Sequence, residues 1–201
     1  METIRVSRAE MEKRIARFKS LKPIQATSDD QQGIPAAALE FLTTKKLWPL
    51  LGASGAAAAA NNVPAVSCPP GLHVGMVECP PGDGPQLHAH RKTHETFFCM
   101  RGRFEISWND DGGETTILEE FDMASIPPGV CRAFRNVGDD LGYLLVTIQS
   151  VDEVEDLHDV AYTHAVGAEV DRRFGPATRA ALERAGMRFD AGAAPAADAA
   201  D

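Results

Sequence analysis

Gly82-Asp83-Gly84-Pro85-Gln86-Leu87-His88-Ala89-His90-Arg91-Lys92-Thr93-His94-Glu95-Thr96-Phe97-Phe98-Cys99-Met100-Arg101-Gly102 is the stretch that decides how this chain is read. His88 and His90 are two residues apart, so on a strand their side chains point to one face. Two imidazoles on one face can reach one ion, and a turn after them can return Glu95 to the same place. Two histidines and a carboxylate with open positions form the ligand set of non-haem iron oxygenases, which other divalent first-row ions also use.

Outward from this stretch the chain keeps a strand period. Leu72, Val74 and Met76 alternate with His73, Gly75 and Val77. Short strands are expected at 87–90, 95–101, 103–109, 114–119, 123–126, 131–136 and 142–150. Turn clusters separate them, among them Asn109-Asp110-Asp111-Gly112-Gly113 and Pro127-Pro128-Gly129. Many short strands at even spacing predict a sandwich or barrel rather than an α/β fold.

The segment 82–102 is similar to the first motif of the cupin superfamily, G-x5-H-x-H-x3,4-E-x6-G. Gly82, His88, His90, Glu95 and Gly102 stand at its fixed positions. Residues 121–136 resemble the second motif, G-x5-P-x-G-x2-H-x3-N, through Pro127, Gly129 and Asn136. Phe121 stands where glycine is usual and Arg132 where histidine is usual. The resemblance implies an all-β fold, a double-stranded β-helix (jelly-roll) barrel of the cupin-2 type, often dimeric, with its site inside. A homodimer is the expected assembly. In the family the two histidines, the glutamate and the second-motif histidine hold iron, manganese, nickel, zinc or another divalent ion. Family activities run from dioxygenases, decarboxylases and isomerases to non-enzymatic binding, so the resemblance names a fold and a site rather than a reaction.

Arg132 is the departure that matters. A guanidinium stays protonated and offers no lone pair to a metal. Three readings stay open. In the first, His88, His90 and Glu95 hold Fe(II), or Mn, Ni or Zn, and Arg132 orients a substrate carboxylate at the open positions. In the second, Arg132 pairs with Glu95, no metal is bound, and the barrel is a small-molecule binder or sensor. In the third, His94 replaces the lost histidine as a ligand. The first is the leading reading: a dioxygenase-like, metal-dependent enzyme acting on a small anionic molecule.

The chain has 201 residues and divides by pattern into a helical N-terminal extension and linker (1–60), the barrel (61–150), and a C-terminal helical extension with a tail (151–201). In the first part, Ser7 and Glu10 open a helix expected over 7–19, with Met11, Ile15 and Phe18 on one face. Pro35 opens a second helix running to Lys46. Trp48-Pro49-Leu50-Leu51 is expected to dock on the barrel, and Gly52–Asn62 reads as a flexible linker. In the last part, the acidic run 152–159 reads as a solvated face, Pro176 to Met187 as a helix, and Ala191–Asp201 as a disordered tail.

Hydrophobic residues make up 44% of the chain and charged residues 24%, enough for an ordinary core. The net charge of −9 argues against nucleic acid and anionic membranes, which are bound through clustered Lys and Arg. Met1–Glu12 is charged and lacks the apolar core of a secretory signal, and no run is long enough to span a bilayer. A cytoplasmic protein is expected. Cys68, Cys79, Cys99 and Cys131 fit no zinc spacing and read as free thiols in a reducing compartment. Phe97, Phe104, Phe121, Phe134, Ile106 and Ile126 are read as barrel filling, while His73, His158 and His164 are read as surface or satisfied core residues.

Overall fold

Alternation of side chains about two facing sheets organises the protein, whose computed structural model describes residues 1–25, 33–53, 63–150 and 160–194. The expected linker beyond Ala53, the acidic run 152–159 and the tail from 195 lie outside the described residues.

The strands of the barrel proper are β4 (Leu72–Cys79), β5 (His88–His90), β6 (Thr93–Arg101), β7 (Phe104–Trp108), β8 (Glu114–Leu118), β9 (Met123–Ile126), β10 (Cys131–Asn136) and β11 (Gly142–Ser150). Each follows the strand pattern and turn residues expected of it. One sheet contains β4, β11, β6 and β9 in that order, and the other contains β5, β10, β7 and β8. This is the jelly-roll arrangement. On β4 every second residue, His73, Gly75, Val77 and Cys79, is buried, and on β6 Thr93, Glu95, Phe97 and Cys99 are buried. One end of the interior is closed by apolar packing. Phe97 meets Phe134 edge-on at 5.1 Å across the two sheets, and Phe104, beside Phe134 in the same sheet, meets that ring at 6.1 Å. The other end is left to the polar residues described below.

The extensions are woven into the sheets. Before the barrel come α1 (Arg8–Glu12), β1 (Ile24–Gln25), α2 (Ala36–Leu42), β2 (Lys46–Gly52) and β3 (Val66–Ser67). The strand β2 pairs antiparallel with β4, and β1 and β3 pair with β2, making the first sheet seven-stranded. Trp48-Pro49-Leu50-Leu51 thus joins the sheet as a strand instead of merely resting against it. Register shifts between Pro49 and Leu51, where the imino residue has no N–H to give the ladder. The expected second helix stops at Leu42, because Thr43 caps it with a hydroxyl bond to the Leu39 carbonyl and β-branched Thr44 follows.

The first helix is also shorter than expected. Ser7 Oγ accepts from the Glu10 amide at 3.2 Å, but the helix ends at Glu12, and a single 3-10 turn at Phe18–Ser20 sets Phe18 4.9 Å from Trp48.

After the barrel, β12 (Val160–Tyr162) pairs with β5, and α3 (His164–Phe174) and α4 (Pro176–Arg184) follow. Thr163 caps α3 through the Val166 amide. Leu42 of α2, Tyr162, Val166, Val170, Leu182 and Phe189 form a second apolar core, so the two extensions pack on each other beside the barrel. Ala191 belongs to this folded part and not to a tail: it is buried and its amide bonds to the Tyr162 carbonyl at 3.0 Å.

Phe121 corrects the expected core. It is 70% exposed and has φ 74°, while Phe97, Phe104, Phe134 and Ile106 are buried. Phe121, at the position where the resembled motif has glycine, takes a left-handed backbone conformation with its ring turned outward.

Candidate metal and ligand site

Register decides which side chains meet. In the smaller sheet Tyr162, His88 and Arg132 are directly opposite one another across β12, β5 and β10, so all three side chains share a face. His90, two residues on from His88, joins that face. Glu95 comes from β6 in the facing sheet, on the buried side of the strand. The two sheets thus present His88, His90, Arg132 and Glu95 to one interior point.

His88, His90 and Glu95 are buried, and one ligand atom from each lies within 4.8 Å of the others. His88 Nδ1 lies 2.7 Å from the Gln86 carbonyl, which can only accept, so Nδ1 carries the proton and the lone pair of the neutral ring is on Nε2. His90 Nδ1 lies 2.9 Å from Thr93 Oγ1, and His90 Nε2 faces Glu95 Oε2 at 3.9 Å. The Gly129 amide donates to the His90 carbonyl at 2.7 Å, and Gly129 can do so because it takes φ 82°. The second-motif turn therefore fixes the strand that carries the histidines. Asn136 does the same at the far end, donating from Nδ2 to the carbonyls of Cys79 and Asp140 at 2.7 and 2.8 Å.

The donor chemistry fits a divalent ion. Two imidazoles oriented through Nδ1 and one carboxylate are the outer-supported ligand set that such ions take.

Arg132 is 1% exposed and turned toward Glu95. Its Nε–H donates to Glu95 Oε2 at 2.8 Å, its Nη2 lies 2.7 Å from the same oxygen, and Nη1 lies 3.5 Å from the His88 carbonyl. The Arg132–Glu95 pairing considered in the sequence is thus present, together with the assembled ligand trio. The guanidinium is held behind the carboxylate and does not face the cavity.

His94 is separated from the trio. It precedes Glu95 on β6, so its side chain leaves the opposite face of the strand, where burial alternates to intermediate. The metal group among the described residues does not include it.

A cavity of about 320 Å³ opens from the trio. Its walls are mostly apolar, with Val146 and Ile148 from β11 and Phe134 from β10. Thr43, Thr44 and Leu47 close it from the N-terminal extension, Val160 and Tyr162 from the C-terminal one. The Tyr162 ring lies 5.7 Å from that of His88, and burial pushes its phenol above the ordinary range. His73, expected at the surface or in a satisfied core, is buried and lines the same cavity. Sequence reasoning missed Tyr162, Thr93 and His73 as members of the site. Only Thr93 carried a signal, lying three residues after His90 at the turn.

Residues 75–148 match the family model of the cupin domain, Cupin_2. No curated protein matches the sequence. The cupin domain of Cnp3 from Schizosaccharomyces pombe is 18% identical, with a TM-score of 0.41, and the match covers 52% of this chain and 64% of that one. A Cupin 2 conserved barrel domain protein from Salinispora arenicola is 19% identical, with a TM-score of 0.42, covering 54% of this chain and 78% of that one. TT1209 from Thermus thermophilus is 18% identical, with a TM-score of 0.39, covering 44% of this chain and 80% of that one. Among the described residues no helix is long and apolar enough to cross a membrane.

Proposed function

We propose that this protein, whose residues 75–148 match the cupin-domain family model, is a metal-dependent cupin whose His88, His90 and Glu95 hold a divalent ion, Fe(II) by preference, and whose cavity takes a small anionic molecule. The observation that carries the reading is the trio itself, with ligand atoms within 4.8 Å and the His88 and His90 Nδ1 atoms engaged behind them. When bound, the ion would supply Lewis-acid chemistry and, as iron, redox chemistry of the dioxygenase kind.

The chain's own residues do the rest. The Gln86 carbonyl and Thr93 hold the two rings in orientation. Arg132 holds Glu95 in place through its contacts to Oε2, a positioning role, at the cost of placing a cation beside the site. That cation weakens metal binding relative to a fourth imidazole and favours an anionic ligand. The apolar walls and the two extensions line the approach to the site.

A second reading has its own observation. The Arg132–Glu95 pair already neutralises the buried carboxylate, so the barrel is electrostatically complete as a metal-free binder or sensor. Calorimetric titration of chelator-treated protein with Mn(II), Ni(II), Zn(II) and anaerobic Fe(II) separates the two. Stoichiometric uptake, followed by oxygen consumption with candidate carboxylates or diketones, supports the enzyme. Absence of heat with every ion supports the binder.

A further inference from the structure

His73 lies outside both motifs, yet it is 6% exposed and lines the cavity that holds the trio. Its placement follows from register. His73 on β4 is directly opposite Ile148 on β11, and Ile148 is directly opposite Glu95 on β6. Directly opposed residues share a face, so His73, Ile148 and Glu95 form one row across the floor of the cavity. Two inter-strand spacings put His73 and Glu95 roughly 10 Å apart between Cα atoms.

The fold makes room for this imidazole. A Cβ at Gly52 would stand 2.9 Å from His73 Nδ1, and one at Gly75 would stand 3.7 Å from Nε2 and 2.8 Å from Leu47 Cδ1. Glycine at both places leaves the ring seated between β2 and β4, with the cavity open beside it. Among the described residues the ionisable groups lining the cavity are three histidines, the Glu95 carboxylate and the Tyr162 phenol, and Arg132 pairs with the carboxylate. In a protein of net charge −9, this interior is suited to negative charge.

We infer that His73 is a second ligand anchor. The cavity takes a short molecule with an anionic group at each end and an apolar middle, one end at the trio, the middle over Ile148 and Val146, and the other end at the His73 imidazole. This inference rests on reading the cavity as the binding site proposed above. It adds a ligand-binding and specificity-determining residue, and a ligand class, to that reading.

The test compares glutarate with pentanoate, molecules of one chain length with two and one carboxylates, by calorimetry on Zn(II)-loaded and on metal-free protein. Wild type is expected to bind glutarate at least tenfold tighter than pentanoate. His73→Leu and His73→Ala are expected to abolish the preference for glutarate over pentanoate. His73→Gln, which keeps a donor, should retain part of the preference. A wild type that shows no preference for glutarate, absence of binding included, overturns the inference. So does a preference that survives both His73→Leu and His73→Ala. Failure of Zn(II), Mn(II), Ni(II) and Fe(II) alike to bind wild type would sink the metal reading alone, since the metal-free arm still judges His73 by the glutarate preference.

Discussion

Arg132 stands at the position where the resembled second motif has histidine, and its guanidinium pairs with Glu95. Removing one partner of a buried pair leaves an uncompensated charge, which costs about 3–5 kcal/mol. Arg132→Met is therefore expected to lower the melting temperature of metal-free protein sharply, while added Zn(II) restores more stability to the variant than to wild type. Arg132→His is expected to bind metal more tightly than wild type. Differential scanning calorimetry with and without metal checks both, and equal metal shifts in all three proteins would refute the account of Arg132. Phe121 offers a second test at this scale. A non-glycine residue in the left-handed region costs about 1–2 kcal/mol, and the ring gains little from burial at 70% exposure. Phe121→Gly should raise the melting temperature, partly offset by the extra chain entropy of glycine. The motif residues were legible because a period of two places His88 and His90 on one face in any strand. Tyr162 and His73 were not, because their places depend on which strands pair and in what register.

At the scale of elements, the eight barrel strands could be read from alternation and from the Gly-, Pro- and Asn-rich turns between them. The strand β2 could not. Lys46-Leu47-Trp48-Pro49-Leu50-Leu51 has no clean alternation and contains a proline, and it becomes a strand because β4 offers an open edge. Trp48 is buried there against Phe18, so Trp48→Ala is expected to cost about 3 kcal/mol, measurable by chemical denaturation. Lys46 on β2 also bonds to Glu78 on β4 at 2.7 Å, and the Tyr143 hydroxyl donates to the same carboxylate at 2.7 Å. Burial raises the Glu78 carboxyl, and the bonds from Lys46 and Tyr143 outweigh it, leaving the group below its ordinary value. A lowered carboxyl stabilises the fold above the unfolded-state value and loses that contribution as pH falls through the folded one. Glu78→Gln should thus be less stable than wild type at pH 7, by under about 1 kcal/mol for a pair so partly exposed. The gap should close in acid, and a gap that stays constant with pH would contradict the assignment.

Over the whole molecule, two cores are joined through the site. The barrel core fills one end, and the helices of both extensions build the other beside the cavity mouth. Composition and helix caps pointed to helical extensions. That they pack on each other was not legible, since no local pattern records a contact between Leu42 and residues more than a hundred positions away. Removal of residues 163–201 would expose Leu42 and Tyr162, and is expected to lower solubility and the melting temperature together. Light scattering and a thermal melt check this. The central claim is the metal site, and elemental analysis of untagged protein, beside a His88→Ala/His90→Ala double variant, tests it most directly. The account predicts near-stoichiometric iron, manganese, nickel or zinc in wild type and none in the variant. No metal in either protein, even after reloading with each ion, would contradict it and leave a metal-free binding barrel held by Arg132 and Glu95.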